Sequence, residues 1–490
     1  MVKRFNPDKR RRPKVDDHFG DWKWREALAE SMVPMIGKLY RNGIRLLMYG
    51  RPLINCSAIE IMKLHRFVRE VEGNELSELE TYPVIEQISK MKLMPCEIDL
   101  GEVVVHLLDN DKLDPIKHVK SMLKEQVRTK RSHPLRPKDI VLYGFGRIGR
   151  ILTRILVSET GPGVNWRLRA VVVRDSGNTE DLIKRASLLR NDSVHGTFPG
   201  TIRVDRKNNS LIVNGNEIVF IYANDPKKVD YKKHGIKKAT VIDNTGVWRD
   251  EDGLKMHIKN PSVERVVLTA PGKGKIKNIV YGVNDQKVSE GDKILGAASC
   301  TTNAIVPALK VVDDNFKILS GHIETVHAYT NDQNLIDNYH TSDRRGRSAA
   351  LNLVITDTGA AKAISGVMPE LKGKLTANAI RVPTPNVSLA IMHLNVKKGV
   401  SVEDLNQCFR NAAFHSGLRT TIDYSNSLDA VSSDFYSNEF ACVFDSQATI
   451  SNFNNITIYC WYDNEYGYSR QVARLLNKAL GINLVRYPKQ

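Results

Sequence analysis

The first 138 residues carry apolar positions at helical spacing, separated by signals for helix ends. One such run covers residues 58–72, begins after Ser57 and stops before Gly73. Glu60 stands three positions after Ser57, and a serine and a glutamate at this spacing form a capping box. Glycine is the residue most often found just past a helix end. The pattern therefore predicts an amphipathic helix over residues 58–72.

Two further capping signals predict a folded, mostly helical domain over residues 1–138. Asp99 precedes another apolar run, and Asp114 followed by Pro115 predicts a last helix to about residue 128. Aspartate caps helices, and proline is tolerated at the first helical position. Residues 129–138 are rich in proline and basic side chains, so we expect an exposed linker there.

After the linker, a short apolar run ends in a glycine-rich turn and then a new helical pattern. The turn has the spacing Gly-x-Gly-x-x-Gly, with Gly144, Gly146 and Gly149. Gly144 permits the tight turn, Gly146 lets the backbone approach a pyrophosphate, and Gly149 lets the helix pack on the strand. A strand, this turn and a helix in this order predict a dinucleotide-binding site.

A second apolar run, residues 169–173, ends in Arg174 and Asp175. An acid at the end of the second strand accepts hydrogen bonds from the adenosine ribose. The Arg174 guanidinium could hold a 2′-phosphate, whereas the Asp175 carboxylate would repel it. The pair favours NAD and leaves NADP open as a cofactor.

Residues 298–303 place Cys300 among hydroxyl and amide side chains, directly before an apolar helical run. The free N–H groups and the dipole of a helix N-terminus favour a thiolate at Cys300. His327 lies downstream, and a cysteine with a distant histidine is the minimum equipment for covalent catalysis at a carbonyl. We therefore predict that Cys300 and His327 are catalytic.

Composition narrows the class of protein. A chain of 490 residues predicts two or three domains, and no apolar run reaches the roughly 18 to 20 residues that span a bilayer. Its basic start is not followed by the apolar segment of about 7 to 15 residues that a secretory signal needs. The six cysteines lack the close pairs of a zinc site or a disulfide framework. We expect a cytoplasmic protein without a metal or a membrane segment.

The net charge of +17 indicates attraction to anions, with a basic concentration at residues 9–14. No aromatic stacking pattern accompanies this run. Because this pattern is absent, we expect nucleic-acid binding only as a secondary role of the basic N-terminus.

A series of motifs in fixed order then gives a specific resemblance. Over about residues 139–490 the chain resembles phosphorylating glyceraldehyde-3-phosphate dehydrogenase, with matches at residues 144–150, 192–196, 298–303, 327–333, 358–363, 381–388 and 461–465.

The resemblance implies an α/β fold. It comprises a Rossmann doubly wound domain over residues 139–298, completed by a C-terminal helix over 463–490, and a catalytic α+β domain over 299–462 with a large antiparallel sheet. It also implies a homotetramer. The helical domain over residues 1–138 is absent from ordinary members of the family.

The resemblance also implies a reaction. Cys300 attacks the aldehyde carbon of glyceraldehyde 3-phosphate, and His327 accepts the thiol proton and assists hydride departure. Inorganic phosphate then attacks the thioester to give 1,3-bisphosphoglycerate, so the oxidation energy is kept in the product.

Further site residues are carried over from the family's motifs. The site for the substrate phosphate comprises Thr330 and Arg381. The site for the attacking phosphate comprises Ser299, Thr301, Thr358, Gly359 and Arg347. Cofactor contacts, besides the three glycines and Asp175, are Arg147, Ile148, Thr269 and Asn464, of which Asn464 orients the nicotinamide amide. We interpret His195, which lies in a matching motif, as structural.

Departures from the family leave alternatives open. Tyr143 stands where asparagine is usual, Asn224 replaces a common arginine near the adenine, and Asn338–Tyr339 replaces a Leu-Pro pair of NAD-preferring members. Residues 337–340 have some similarity to erythrose-4-phosphate dehydrogenase, which uses water as acyl acceptor. A non-catalytic nucleotide-sensing or nucleic-acid-binding relative is the third hypothesis.

Overall fold

The structure is a computed structural model, and it falls into two units. It describes residues 17–110, 113–128, 137–160, 166–175, 180–482 and 484–489. The described residues before 138 and after 481, with Thr160, belong to the first unit, and the described residues of 138–159 and 166–481 form the second. The basic run at 9–14 and most of the expected linker lie outside the described residues.

The helices and strands are numbered in chain order, beginning with those of the first unit. The first unit contains α1 (His18–Arg41), β1 (Ile44–Met48), β2 (Arg51–Pro52), α2 (Ala58–Glu72), α3 (Glu78–Lys90), β3 (Cys96–Asp99), α4 (Leu100–Leu108) and α5 (Pro115–Met122). The NAD-domain part of the second unit contains β4 (Lys138–Tyr143), α6 (Arg147–Glu159), β5 (Trp166–Val173), α7 (Asp181–Arg190), β6 (Ile202–Asp205), β7 (Ser210–Val213), β8 (Asn216–Tyr222), β9 (Ala239–Asp243), α8 (Glu251–Ile258), β10 (Val263–Leu268), β11 (Lys277–Asn278) and β12 (Ile294–Gly296).

The remaining elements run to the C-terminus. They are α9 (Cys300–Phe316), β13 (Ile318–Ala328), β14 (Val354–Asp357), α10 (Ala360–Val367), β15 (Leu375–Val382), β16 (Ser388–Val396), α11 (Val402–His415), β17 (Ile422–Ser425), β18 (Cys442–Asp445), β19 (Ile450–Asn452), β20 (Asn455–Tyr462), α12 (Tyr466–Ala479) and, back in the first unit, β21 (Val485–Tyr487).

The capping signals set the helix ends of the first unit. The Ser57 side chain accepts a hydrogen bond from the Glu60 N–H, the Glu60 carboxylate accepts one from the Ser57 N–H, and Gly73 is left-handed at φ 76°. The predicted helix over residues 58–72 is confirmed. Asp99 and Asp114 also cap helices, but α5 ends at Met122 and only a short 3-10 turn follows it.

The first unit also contains a small sheet, with strand order β2-β1-β3-β21. Strand β21 pairs in parallel with β3, so that Val485 lies opposite Cys96. This differs from the expectation of one helix over residues 463–490. Helix α12 ends at Ala479, and the left-handed Gly481 at φ 69° follows it. The chain beyond Gly481 therefore leaves the helix and supplies a strand to the first unit.

The NAD-domain sheet has the strand order β11-β12-β10-β9-β4-β5-β8-β7-β6. Its strands are parallel from β11 to β8, and β7 and β6 complete it as an antiparallel edge. Val141, Val241 and Val266 on its central strands are fully buried. Helix α12 packs on α6 through Ala473, Ile151 and Ile155, which completes this domain with a C-terminal helix.

The second sheet has the order β14-β15-β13-β16-β20-β18-β17, with β19 paired to β20. Most neighbours are antiparallel, whereas β13 with β15 and β17 with β18 are parallel. The expected antiparallel sheet is therefore mixed. None of the described helices has the length and apolarity required to cross a bilayer.

Candidate active site

The glycine-rich turn connects β4 to α6. Gly144 has φ 103°, and a Cβ there would approach Asn244 Oδ1 to 2.9 Å. A Cβ on Gly149 would lie 2.7 Å from the Gly144 carbonyl oxygen, so the helix packs directly on the turn. A Cβ on Gly146 would meet nothing within 4 Å. The turn is thus tight at Gly144, closely packed at Gly149 and open at Gly146.

A cavity of about 820 Å³ opens in front of this turn. It lies beyond the carboxyl ends of β4, β5 and β9, the usual ligand position in a doubly wound sheet. Its lining brings together Gly144, Gly146 and Asp175, with Arg174 beside the acid. The Asn244 side-chain oxygen is buried there without a hydrogen-bond partner. A pyrophosphate on the turn and a ribose near Asp175 fit these residues.

Arg147 does not line this cavity, although the motif assigns it to the cofactor. Its Nε donates to Glu465 Oε1 at 2.8 Å, its Nη2 donates to Glu465 Oε2 at 2.6 Å, and its Nη1 pairs with Asp192. His195 Nε2 lies 2.9 Å from Glu465 Oε2, and His195 Nδ1 lies 2.9 Å from Ser437 Oγ. Although burial opposes it, hydrogen bonds from His195 and Arg147 hold the pKa of Glu465 below its usual range.

The remaining expected cofactor residues lie near this cavity or near the second sheet. Ile148 belongs to the first turn of α6, and the Thr269 N–H donates to the Asp243 carbonyl at 3.0 Å, next to the cavity residue Asn244. Asn464 Oδ1 accepts from Ser388 Oγ at 2.9 Å.

The Ser388 hydroxyl links Asn464 to the end of β13. Ser388 Oγ accepts from the Ala328 N–H at 3.1 Å, and Ala328 is the residue directly after His327. The buried amide of Asn464 is therefore anchored to the strand that carries His327.

Cys300 is the first residue of α9, a helix of 17 residues. Ser299 caps this helix, because its Oγ accepts from the Thr302 N–H at 3.0 Å. Ala298 before it is left-handed at φ 56°, a strained conformation for alanine, and Tyr468 OH donates to its carbonyl at 2.9 Å. The surrounding side chains hold this elbow so that Cys300 is partly exposed at the helix N-terminus.

His327 faces Cys300 from the end of β13. The Cys300 Sγ lies 3.6 Å from His327 Nε2, and His327 Nδ1 lies 2.7 Å from the Ala328 carbonyl oxygen. A carbonyl oxygen at that distance requires the proton on Nδ1. Arg381 Nη1, 2.8 Å from the same nitrogen, therefore donates instead to the Ala328 oxygen at 3.0 Å. This tautomer leaves Nε2 as an acceptor for the thiol proton.

The pKa shifts favour a neutral pair. Burial raises the pKa of Cys300, although the Arg381 charge and a hydrogen bond with Thr301 act in the opposite direction. Burial and then the Arg381 charge lower the pKa of His327 to about 3. Burial therefore acts against the thiolate that the helix N-terminus and Arg381 favour at Cys300, and the expected thiolate stays a prediction.

Arg381 lies beside the pair because β15 runs parallel to β13 with Arg381 opposite His327. Its Nη1 is 3.4 Å from Thr330 Oγ1, so the structure brings together the two residues expected to hold the substrate phosphate. Arg381 Nε is buried without a hydrogen-bond partner. A half-buried cation with a buried, unsatisfied donor atom is suited to an anionic ligand.

Of the residues expected to hold the attacking phosphate, Thr301 lies beside the thiol, whereas Thr358 and Gly359 lie at the start of α10. Thr301 Oγ1 lies 4.0 Å from Cys300 Sγ and 3.1 Å from Tyr462 OH, so it is beside the thiol. Thr358 Oγ1 accepts from the Ala360 N–H at 3.2 Å, and Gly359 is the residue before α10.

Arg347 is engaged elsewhere. Its Nε donates to Asp337 at 2.8 Å, and its side chain is 65% exposed. Motif matching missed a different arginine, Arg345, which pairs with Asp332 at 2.6 Å and donates to Thr356 at 3.1 Å. The charge of Arg345 contributes to lowering the pKa of His327. The three arginines at positions 344, 345 and 347 indicate a basic loop near the site. Their spacing does not show which of them acts on Cys300 and His327.

Two family models match this chain. Residues 138–251 match the model described as glyceraldehyde 3-phosphate dehydrogenase, NAD binding domain, and residues 299–464 match the one described as its C-terminal domain.

Several curated proteins are similar over long alignments. A glyceraldehyde-3-phosphate dehydrogenase-like protein of Pseudomonas aeruginosa (strain UCBPP-PA14) is 53% identical over 462 residues, which cover 94% of this chain and 100% of that protein. The glyceraldehyde-3-phosphate dehydrogenase B of pea chloroplasts is 42% identical over 69% of this chain and 72% of its own. The glyceraldehyde-3-phosphate dehydrogenase 2 of Bacillus subtilis is 38% identical over 69% of this chain and 95% of its own. The first alignment therefore includes most of the residues before 139.

Proposed function

Because this chain belongs to the glyceraldehyde-3-phosphate dehydrogenase family, an NAD(P)-binding family of oxidoreductases, we propose that it oxidises glyceraldehyde 3-phosphate to 1,3-bisphosphoglycerate with NAD(P) and inorganic phosphate. The observation that carries the proposal is the distance of 3.6 Å between Cys300 Sγ and His327 Nε2 beside the half-buried guanidinium of Arg381.

In this proposal Cys300 and His327 perform the covalent steps. The Cys300 sulfur forms a bond to the aldehyde carbon while its proton passes to His327 Nε2 and from there to the former carbonyl oxygen, and a thiohemiacetal results with His327 neutral again. Loss of the hydroxyl proton to His327 and of hydride from the carbon leaves a thioester. Bound NAD(P) supplies the hydride acceptor. A phosphate oxygen then attacks the thioester carbon, and the Cys300 sulfur leaves.

Arg381 and Thr330 bind the phosphate of the substrate. The unpartnered Nε of Arg381 supports this role, because it supplies a buried donor that an anion satisfies. The guanidinium also stands beside Cys300, where its charge favours the thiolate that leaves in the last step.

The cofactor occupies the cavity in front of the glycine turn. Gly144, Gly146 and the N-terminus of α6 bind the pyrophosphate, Asp175 binds the adenosine ribose, and Asn464 orients the nicotinamide amide. Arg147 acts indirectly, by joining the start of α6 to Glu465 beside Asn464.

Water as acyl acceptor, with erythrose 4-phosphate as substrate, is the second candidate. It is favoured by the pairing of Arg347 with Asp337, which takes up a guanidinium assigned to the attacking phosphate. Ser299, Thr301, Thr358 and Gly359 remain for that phosphate in the first candidate.

The test is NADH or NADPH formation at 340 nm with each aldehyde, with and without inorganic phosphate. We expect strict phosphate dependence with glyceraldehyde 3-phosphate and no turnover in Cys300→Ala. Equal turnover without phosphate would contradict the first candidate. Turnover of erythrose 4-phosphate alone would establish the second.

We also propose a homotetramer. Exposed apolar side chains concentrate between residues 335 and 355, with Leu335 at 77%, Tyr339 at 86% and Leu351 at 82% exposure, and such patches mark protein interfaces. Sedimentation velocity of wild type and Leu351→Lys tests this, since the charged variant should dissociate. A monomeric wild type would contradict the assembly.

A further inference from the structure

A second cavity, of about 570 Å³, lies along α8 at the edge strands β11 and β12 of the NAD-domain sheet. We call it the lysine groove and define it by Lys255, Lys259, Lys275, Lys277 and Lys293. These lysines stand at the helix face, in the chain before β11 and at the amino end of β12. Since β12 is parallel to the strands that end at the cofactor cavity, Lys293 at its amino end lies on the side of the sheet away from that cavity. The two cavities share none of their lining residues.

The floor of the lysine groove is apolar and preformed. Ile276 is only 8% exposed and belongs to the core of the sheet, while Ile258 and Ile294 pack against that core. Ile258 follows Lys255 by three positions on α8, so both face the same side of the helix. The floor is therefore fixed by the packing of the domain and does not have to form when a ligand binds.

The rim of the lysine groove carries more positive than negative charge. Lys255 pairs with Glu251 at 2.9 Å, and Lys277 pairs with Asp292 at 2.7 Å. Within the part of the chain that the structure describes, the ammonium groups of Lys259, Lys275 and Lys293 form no ion pair, although the charge of Lys275 also acts on Glu251. Three cations thus remain for a ligand.

A smaller cavity adjoins the lysine groove. Its volume is about 250 Å³, and it shares Ile258 and Lys293 with the groove and adds Lys238, together with one carboxylate, Glu264. An elongated anion can therefore contact lysines along its length while an apolar group rests on the isoleucines.

We propose that the lysine groove binds a nucleoside polyphosphate, with the base on the isoleucine floor and the phosphates on Lys259, Lys275 and Lys293. A cavity of this size falls within the range of about 300–1,000 Å³ that is usual for small-molecule sites. A single exposed lysine contributes little to binding, but several lysines on one polyanion act together. The groove is separate from the cofactor cavity, so this ligand and NAD(P) bind at the same time.

The experiment is isothermal titration of the full chain with ATP and with GTP, at fixed ionic strength and in saturating NAD(P) to fill the cofactor cavity. Inorganic triphosphate serves as a probe without a base. The variant is Lys259→Gln, Lys275→Gln and Lys293→Gln together. A matched control replaces three other exposed lysines of the same domain, with the same change of charge: Lys207→Gln, Lys232→Gln and Lys233→Gln.

We expect at least one nucleotide to bind with NAD(P) present, and more tightly than triphosphate. The groove variant should weaken this binding by about tenfold or more, as the loss of several charge contacts predicts, while the control keeps it. Unchanged thermal unfolding and dehydrogenase activity of both variants verify their fold. No nucleotide binding in the presence of NAD(P), equal binding of triphosphate, or an equal loss of binding in the control variant would each overturn the proposal.

Discussion

The Nε2 atom of His327 lies 3.6 Å from the Sγ atom of Cys300, and the opposite nitrogen of the ring carries its proton toward the Ala328 carbonyl oxygen. This arrangement makes Nε2 an acceptor that faces a thiol. Burial raises the pKa of Cys300 and lowers that of His327, and both shifts favour a proton on sulfur before substrate binds. Proton transfer then accompanies attack on the aldehyde, and His327 acts as a general base.

Replacing His327 by glutamine should lower kcat by about 10²- to 10⁴-fold, the range for loss of a general acid or base. Glutamine keeps hydrogen-bonding capacity but cannot accept the thiol proton. The measurement is single-turnover NADH or NADPH formation, with Cys300→Ser as the control that forms no thioester. Near wild-type rates in His327→Gln would contradict a base role for this histidine.

The pH dependence of Cys300 alkylation follows from the raised pKa of its thiol. The thiolate is the reactive form, so a pKa above the ordinary value of 9.0 predicts slow alkylation at pH 7 and a rate that still climbs through pH 9. Removing the nearby cation in Arg381→Leu should raise this pKa further and slow the reaction at each pH.

Mass spectrometry of the Cys300 peptide after timed iodoacetamide treatment measures these rates. The same peptide in denaturant supplies the reference thiol. A rate that levels off below pH 7 would show a preformed thiolate and contradict the neutral pair.

The sequence was sufficient for features that local residues determine. The helix over 58–72 followed from Ser57, Glu60 and Gly73, which cap it without help from distant residues. The glycine turn likewise depends on which backbone angles and contacts its glycines allow. Helix caps and tight glycine turns can therefore be predicted from a few neighbouring residues.

Features that depend on distant partners were not predictable in the same way. The short strand β21 has no periodic signal and is defined by its pairing with β3. Arg345 and Arg347 lie in one loop, where Arg345 pairs with Asp332 and Arg347 pairs with Asp337. These distant aspartates decide that the charge of Arg345 acts on His327. The raised pKa of Cys300 depends on burial, which its motif does not encode.

Glu465→Gln should destabilise the second unit and weaken cofactor binding. The change leaves Arg147 without its two-atom carboxylate partner in a site where the side chains are only 22% and 15% exposed. Loss of one partner from a buried ion pair costs about 3 kcal/mol or more of the free energy of unfolding. Since Arg147 begins α6, the KM for NAD(P) should rise as well.

Urea unfolding and cofactor KM test this change, with Asp314→Asn as control. Asp314 pairs with Lys310 on an exposed helix face, where loss of the pair costs about 1 kcal/mol or less. Hydrogen bonds from His195 and Arg147 lower the pKa of Glu465 below its ordinary value of 4.5. The stability of the wild type should therefore fall as Glu465 is protonated below pH 4.5, and the Glu465→Gln variant should lack this pH-dependent loss. Equal effects of both substitutions would contradict a specific role for Glu465.

Trp248 should report cofactor binding by fluorescence. Its side chain lines the cofactor cavity, with its ring 5.7 Å from that of Tyr143. Titration with NAD(P) should quench tryptophan emission, and Trp248→Phe should remove most of the quenching while calorimetry still detects binding. Trp461, which is hydrogen-bonded to Asp445, provides the control, since Trp461→Phe should keep the signal. Full quenching in Trp248→Phe would place the cofactor elsewhere.

The C-terminal strand supplies a charge to the core of the first unit. Asp99 is fully buried and accepts hydrogen bonds from the backbone N–H groups of Tyr49 and Gly50, each at 2.8 Å. Arg486 on β21 donates to the same carboxylate at 2.7 Å. The positive charge of Arg486 neutralises the Asp99 carboxylate, although Arg486 lies near the other end of the chain.

Arg486→Met should therefore destabilise the first unit by about 3 kcal/mol, because it leaves the buried Asp99 carboxylate without its cation. Hydrogen exchange followed by peptide mass analysis should show faster exchange in β1 and β3 and unchanged exchange in β4. Asp99→Asn combined with Arg486→Met should cost less than the sum of the two single changes, since the neutral amide needs no cation. Lys489→Met, which breaks an exposed pair with Glu125 and a distant contact of the ammonium group with the Tyr487 ring, should change exchange far less than Arg486→Met. Unchanged exchange in Arg486→Met would mean that β21 does not stabilise the first unit through this charge.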